Sequence, residues 1–427
     1  MKLEFPKNFY WGSATSSHQV EGNNHNDWSE WEKKNAKRLA ESAKNKAWPD
    51  YILDKYPNPL QEENYISGRA CDHYNRFRED FDIAKQLGHN AYRFSIEWSR
   101  IEPEEGKFDE KEIEHYRQVI SALKERGMEP FVTLWHWTIP LWFRDKGGWL
   151  NKNAPKYFER YSNKISRSLQ NVRFWITLNE PAVYTSLSMI KGTQPPGNKS
   201  IFKSAKAKAN LIKAHKLAYK AIHSISNSAL VGVGNSANFF IPHKNKLYNK
   251  LLVKIISYLE GSFFKKIRKN IDYIAFQYYR SVDIGFKLGG SFLGIIENNL
   301  DSGGERTDLG WKIYPEGIYY FLKNLQKYNL PIYIMENGLA DARDEKREKF
   351  IKEHLKWAHK AISEGVDVRG YFYWSLLDNF EFVEIRGFWP RFGLVKVDYK
   401  TFERKIRPSA WEYKKIIEEG LDVNVAG

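Results

Sequence analysis

Eight short apolar runs, separated by longer amphipathic stretches, constrain this chain more than any other feature. The runs are Phe9–Ala14, Ala91–Glu97, Pro130–Trp135, Arg173–Leu178, Leu230–Gly234, Tyr273–Tyr278, Ile332–Met335 and Gly370–Trp374. They are short and rich in β-branched and aromatic residues, as buried strands are. Between them lie segments with helical periodicity. In "RFREDFDIAKQLG", "IEHYRQVISALKERG" and "REKFIKEHLKWAHKAISEG" the pattern stops at Gly88, Gly127 and Gly365, a helix C-terminal signal. Strands that alternate with helices build parallel sheets, because a parallel connection needs a crossover. Eight such units predict an α/β fold, a single (β/α)8 barrel of the TIM type. No linker, low-complexity segment or composition break interrupts the order, so residues 1–427 are expected to form one domain.

Two of the runs lead into a carboxylate. "VRFWITLNEP" carries Glu180 after the fourth run, and "PIYIMENGLAD" carries Glu336 after the seventh. A carboxylate beside a core is costly unless it is paired or used. In a barrel of this kind the strand C-terminal ends form the mouth of the active site. Glu180 and Glu336 would then enter one pocket from different sides, and two facing carboxylates are the apparatus of glycoside hydrolysis. Other strand ends add Arg93 in "YRFSIEW", His136 in "TLWHW", Tyr279 in "FQYY" and Trp374 in "YFYWSLLDNFEF". Each alone reads more readily as an ion-pair or core residue. Their joint placement favours a site.

Composition narrows the classes. Cys71 is the only cysteine, so no intramolecular disulfide forms and a Cys-based metal site is not expected. The N-terminus "MKLEFPKNFYWGSATSS" lacks the apolar core of a secretory signal, and no stretch approaches the ~20 apolar residues of a membrane span. A soluble, cytoplasmic protein without metal or cofactor is the expectation. The net charge of +15 is uneven: Lys199 to Asn270 holds 14 Lys and one Arg against Glu260 alone, a local +14. Such a block is read either as solvated helix faces or as a site for an anionic partner. No nucleic-acid motif accompanies it, and no aromatics interleave with the lysines as a stacking platform requires. A lipid surface fits better. In "KSAKAKANLIKAHKLAYKAI", Lys206, Lys213 and Lys220 share one helix face while Ile212, Leu217 and Ile222 can pack inward. In "LYNKLLVKIISYLEGSFFKKIRK", Leu251, Ile255 and Tyr258 form one apolar stripe and Leu252, Ile256 and Leu259 another, with Lys250, Lys254 and Ser257 between them. That arc is wide enough for an interfacial helix at an anionic membrane. The bland alternative packs the second stripe under the glycine-rich "GFKLGGSFLGII".

The chain resembles the family 1 glycoside hydrolases, the retaining β-glucosidases and β-galactosidases, and in particular their archaeal members. The resemblance rests on "FYWGSATSSHQVEG", "CDHYNRFREDFDIAKQLG", "YRFSIEWSRI", "TLWHWTIP", "TLNEP", "TDLGWKIYPEGI", "IYIMENG" and "YWSLLDNFEF…RFGLVKVDY", in that order and across nearly the whole chain. It implies hydrolysis of terminal β-glucosyl, β-galactosyl or related residues from O-glycosides, with alkyl glucosides among the candidates. It makes Glu180 the general acid/base and Glu336 the nucleophile, held by Arg93 and Tyr279. It places Gln19, His136, Asn179, Trp374, Glu381 and Phe382 around the sugar, and Trp311 on the leaving-group side.

Three departures from the family pattern are visible. Phe382 stands where the family usually has Trp, which keeps ring area but loses an indole N–H donor. Gln277 stands where the family usually has Asn. The stretch "VEIRGFWPRFG" and the segment from Lys33 to Ser67 both look long, the latter as a rim or lid over the mouth. Glu381 would repel a phosphate, which argues against a phospho-glycosidase, and the presence of Glu180 argues against a myrosinase-like variant. A non-catalytic sugar-binding barrel would need neither carboxylate.

Overall fold

A computed structural model describes residues 2–286, 295–297, 303–382 and 386–422. Eight parallel strands form a closed barrel: β1 (Tyr10–Ala14), β2 (Ala91–Ser95), β3 (Glu129–Thr133), β4 (Phe174–Asn179), β5 (Leu230–Pro242), β6 (Ile274–Phe286), β7 (Ile332–Asn337) and β8 (Val368–Trp374). The spatial order runs β5-β4-β3-β2-β1-β8-β7-β6, and pairing of β5 with β6 closes the ring. All eight predicted runs are barrel strands. The corrections are at their ends: β5 and β6 each span 13 residues and stay paired from Gly234–Ala275 to Pro242–Ile284. Reading for apolar runs ends β5 at Gly234, where Asn235 interrupts it, and β6 at Tyr278. Residues above the barrel rim have no core to face, so polar side chains are tolerated there.

The helices form where the periodicity places them. In the helix Glu110–Glu125 the Asp109 side chain caps the first turn by accepting from the N–H groups of Lys111 and Glu112, while Ile113, Tyr116, Val119, Ile120 and Leu123 are buried. The helices that end near Gly88, Gly127 and Gly365 do so with these glycines at φ +79°, +71° and +86°, a conformation that costs a side-chain-bearing residue energy.

Two cores result. One lies between strands and helices; the other fills the barrel. At the strand N-terminal end the barrel is plugged by rings, Phe131 stacking on Phe174 at 4.1 Å and meeting Phe372 edge-on at 4.8 Å. The C-terminal end is left to polar groups. Behind β8, Asp378 takes both guanidinium nitrogens of Arg407 (3.1 and 3.0 Å) and the N–H of Gly393 (2.9 Å), which pins the segment leading to Glu381.

The segment from Lys33 to Ser67 folds as the end of the helix Asp27–Ala43, a short helix Asp50–Leu53 and a turn Glu62–Tyr65. It is tied to the loop after β8: Asn64 accepts from the Trp389 N–H (2.8 Å) and donates to the Arg386 carbonyl (2.9 Å). It is a rim anchored to its neighbour. The stretch "VEIRGFWPRFG" lies partly outside the described residues, which omit 383–385.

Directly after β7, Gly338 passes so close to β8 that an added Cβ would stand 1.9 Å from the Trp374 carbonyl oxygen. Gly261, inside the helix Leu247–Ile267, has nothing within 4 Å of the same position. Gly338→Ala should therefore destabilise the fold by about 1–3 kcal/mol or more. Gly261→Ala should be neutral or stabilising by up to ~1 kcal/mol. Thermal unfolding of the two variants beside the wild type checks both signs.

Candidate active site

The polar end of the barrel gathers one group or more from every strand or the loop that follows it. Arg93 lies in β2, Asn179 ends β4, Gln277 and Tyr279 lie in β6, Glu336 lies in β7 and Trp374 ends β8. His136 follows β3, Glu180 follows β4, and Gln19 sits on the short helix Ser17–Val20 after β1. Trp311 comes from the loop after β6, and Glu381 and Phe382 from the loop after β8. One pocket is lined by Gln19, His136, Asn179, Glu180, Tyr279, Trp311, Glu336, Trp374, Glu381 and Phe382, with Trp137, Val183, Ser236, Asn238, Arg280 and Phe392 completing it. Arg93 lies beneath, fully buried.

The carboxylate of Glu336 is gripped on both oxygens. Oε1 pairs with the Arg93 guanidinium and accepts from Gln277 Nε2 at 2.7 Å; Oε2 accepts from the Tyr279 hydroxyl at 2.6 Å. Burial first, then the negative charge of Glu336, keeps the Tyr279 phenol well above its ordinary range, so it remains a donor. Gln277 also donates to Asn179 Oδ1 (2.8 Å), which accepts from Arg93 Nη2 as well (2.6 Å). With its oxygen so used, Asn179 turns Nδ2 to His136 Nε2 at 3.1 Å. Gly234 makes room for this contact: a Cβ there would stand 2.7 Å from Asn179 Oδ1 and 3.1 Å from Gln277 Nε2.

Glu180 is treated differently. It sits at φ +45° at the head of the short helix Pro181–Tyr184, with its N–H held by the Gly234 carbonyl at 2.8 Å. Burial, then the charge of Glu336, pushes its carboxyl up to about 8, against a hydrogen bond from Ser236 and the charge of Arg93. The two carboxyls are thus set apart: Glu336 is held directly by a cation, and Glu180 is raised by burial. His136 is held neutral by burial and by Arg93. With Nε2 accepting from Asn179, its proton is on Nδ1, which has no protein partner among the described residues.

Around this centre, Gln19 donates to Asn379 Oδ1 (3.1 Å) and to the Phe380 carbonyl (2.5 Å), and its own oxygen accepts from Ser16 (2.6 Å). Phe382 is buried, stacked on His18 at 5.4 Å and packed on Trp28 at 4.3 Å and Trp137 at 5.6 Å. On the opposite side the Arg280 guanidinium lies 4.7 Å over the Trp311 ring. All eleven residues singled out from the sequence thus gather at this end of the barrel. Sequence reading treats Gln277 only as a departure and passes over Ser236. Gln277 holds Glu336 directly, and its extra methylene supplies that reach. Ser236 is hidden because the apolar run that announces β5 stops at Gly234.

Comparison with known proteins agrees with this geometry. A profile of glycosyl hydrolase family 1 matches residues 1–273 and 258–421. Beta-glucosidase A of Thermotoga maritima is 34% identical over 465 residues, covering 98% of this chain and 99% of its own. The beta-galactosidase of Sulfolobus acidocaldarius is 33% identical, covering 80% and 82%. Among solved structures, the beta-glycosidase from Pyrococcus horikoshii superposes with a TM-score of 0.87 at 38% identity over 99% of this chain and 97% of its own. The beta-glucosidase from Thermotoga maritima in complex with glucoimidazole gives 0.83 at 32% identity, over 98% and 99%. By sequence match along its length and by the architecture that carries the pocket, the chain belongs to glycosyl hydrolase family 1.

Proposed function

We propose that the protein removes a terminal β-D-glucosyl, β-galactosyl or related residue from O-glycosides by a retaining double displacement, with Glu336 as nucleophile and Glu180 as acid/base. The observation that carries this is the contrast between the two carboxyls: Glu336 locked by Arg93, Gln277 and Tyr279, and Glu180 raised by burial in the same pocket without a direct cation.

In the first step a Glu336 oxygen attacks the anomeric carbon, the bond to the aglycone oxygen breaks, and the Glu180 proton passes to that oxygen. The product ester removes the negative charge that helped to raise Glu180. Its carboxyl then falls in pKa and can take a proton from water, which attacks the same carbon and frees Glu336. Asn179 Nδ2 and His136 Nδ1 are directed toward sugar hydroxyls, and a bond to the 2-OH strengthens as the ring becomes oxocarbenium-like. Gln19 and Glu381 serve the hydroxyls farther from the anomeric carbon. Trp374 is assigned the face of the sugar ring, and Trp311 with Arg280 the aglycone, since all three line the pocket. Phe382 meets the sugar with carbon only, so one hydroxyl is met there without a donor.

Replacing Glu336 with Ala should abolish turnover, since no ester can form. Azide should restore it and yield an α-glycosyl azide, because attack now comes directly on the substrate. Wild-type-like rates without azide, or a β-azide, would refute the assignment. Glu180→Ala should lower kcat/KM by orders of magnitude for an alkyl glycoside and much less for dinitrophenyl glycosides, whose leaving group needs little protonation. In the wild type, kcat/KM for the alkyl glycoside should fall as pH rises through the raised Glu180 pKa; the dinitrophenyl substrate should lack that limb. Equal damage to both substrates would remove Glu180 from the role. Phe382→Trp should return an N–H to the pocket wall and shift the ratio of gluco to galacto kcat/KM by about fivefold, the worth of one neutral hydrogen bond. A kinetic panel of the two sugars on one aglycone reads it.

A further inference from the structure

The helix Leu247–Ile267 is apolar on the side that faces away from the protein. Asn249, Phe263, Phe264 and Ile267 are buried against the barrel. On the opposite side Leu247, Leu251, Ile255 and Tyr258 follow one another at helical spacing and are 83%, 60%, 49% and 63% exposed. In the second stripe Leu252 and Ile256 are half-buried and Leu259 is exposed. The stretch "GFKLGGSFLGII", the alternative cover for that stripe, falls mostly outside the described residues. On the neighbouring helix Ile201–His223, Phe202 is 89% exposed; the two helices touch through Lys208 Nζ and Ser262 Oγ at 2.5 Å. Eight of the eleven strongly exposed large apolar side chains among the described residues lie on these two helices. A grouped patch of this kind marks an interaction surface. Lysines border it: Lys250 and Lys254 on one flank, and Lys265, whose ammonium lies 4.2 Å from the Tyr258 ring. Glu260 is the only acid between residues 199 and 270, and Asn238 donates to it.

We propose that this face docks on an anionic lipid bilayer, with Phe202, Leu247, Leu251 and Ile255 entering the headgroup boundary and Lys250 and Lys254 at the phosphates. Charge decides among occupants. A second copy would bring +14 against +14, and like charges oppose that pairing. A nucleic acid would satisfy the lysines but leave the aliphatic side chains in water. An anionic membrane takes both, apolar area into the acyl boundary and lysines to the surface charge. No described helix is long and apolar enough to cross a membrane, so the contact would be peripheral. Asn238 lines the pocket and bonds Glu260 of the helix Leu247–Ile267, so a docked helix would bring glycosides with a membrane-held aglycone within reach of the pocket.

The test is flotation of the full chain with vesicles of zwitterionic phospholipid, with and without an anionic phospholipid. At low salt the protein should float with the anionic vesicles, not with the neutral ones, and be partly released at high salt. Leu247→Ser, Leu251→Ser and Ile255→Ser combined should lower binding at least tenfold at either salt. Lys250→Gln with Lys254→Gln should lower it about 25-fold at low salt, roughly fivefold per lysine, and little at high salt. Both variants should hydrolyse a soluble nitrophenyl glycoside at the wild-type rate, which separates loss of docking from loss of fold. No flotation with anionic vesicles at low salt overturns the proposal, as does equal flotation with neutral ones. So does a lipid-free dimer that the three serines dissolve, or binding to a duplex oligonucleotide that the glutamines abolish and the serines spare.

Discussion

A buried guanidinium at the centre of the barrel is the constraint to which the rest of the site answers. Arg93 cannot be left without partners, because an isolated buried charge is costly and breaking a buried pair costs about 3–5 kcal/mol. Its donors reach Thr133 Oγ1 at the end of β3 (3.3 Å), Asn179 Oδ1 at the end of β4 (2.6 Å) and Glu336 in β7. One cation therefore fixes the relative height of three other strands. It also fixes the orientation of Asn179 and, through it, the tautomer of His136. Polar groups that would be a liability in an apolar barrel satisfy one another, and the part left over points into the pocket.

The same constraint sets the two carboxyls apart. Arg93 touches Glu336 and only influences Glu180 from a distance, where burial dominates. The two groups differ in surroundings: Glu336 has a direct cation and Glu180 does not, although both are buried at strand ends. Tyr279 strengthens the asymmetry, since its phenol stays protonated and donates to Glu336 alone. To exchange the two environments would require moving the guanidinium across the barrel.

Much of this is legible in the sequence, for physical reasons that can be named. Buried parallel strands are apolar on both faces, so all eight appear as runs, and residues at their ends are readable as mouth residues. What is not legible lies where that signal stops. β5 continues past Gly234 through Asn235 and Ser236, and β6 past Tyr278 through Arg280 and Ser281, and nothing in a polar stretch says that it stays paired. The outward apolar stripe of the helix Leu247–Ile267 is visible as a stripe, but periodicity cannot tell which of two stripes faces the core. The seating of Phe382 is likewise a matter of tertiary packing. The rings of His18, Trp28 and Trp137 hold it, and these contacts join parts of the chain hundreds of residues apart.

Because every strand or its following loop supplies part of the pocket, the site has no smaller working unit. A chain emerging from the ribosome as far as β7 already carries Arg93, Glu180, Tyr279 and Glu336, yet lacks Trp374, Glu381 and Phe382, and its sheet is open between β1 and β7. The last strand to be made lies between the first and the seventh, so the ring closes only when the C-terminal part has left the exit tunnel. Hydrolysis therefore begins after synthesis of the barrel is complete, and appearance of activity is a clock for closure of the ring.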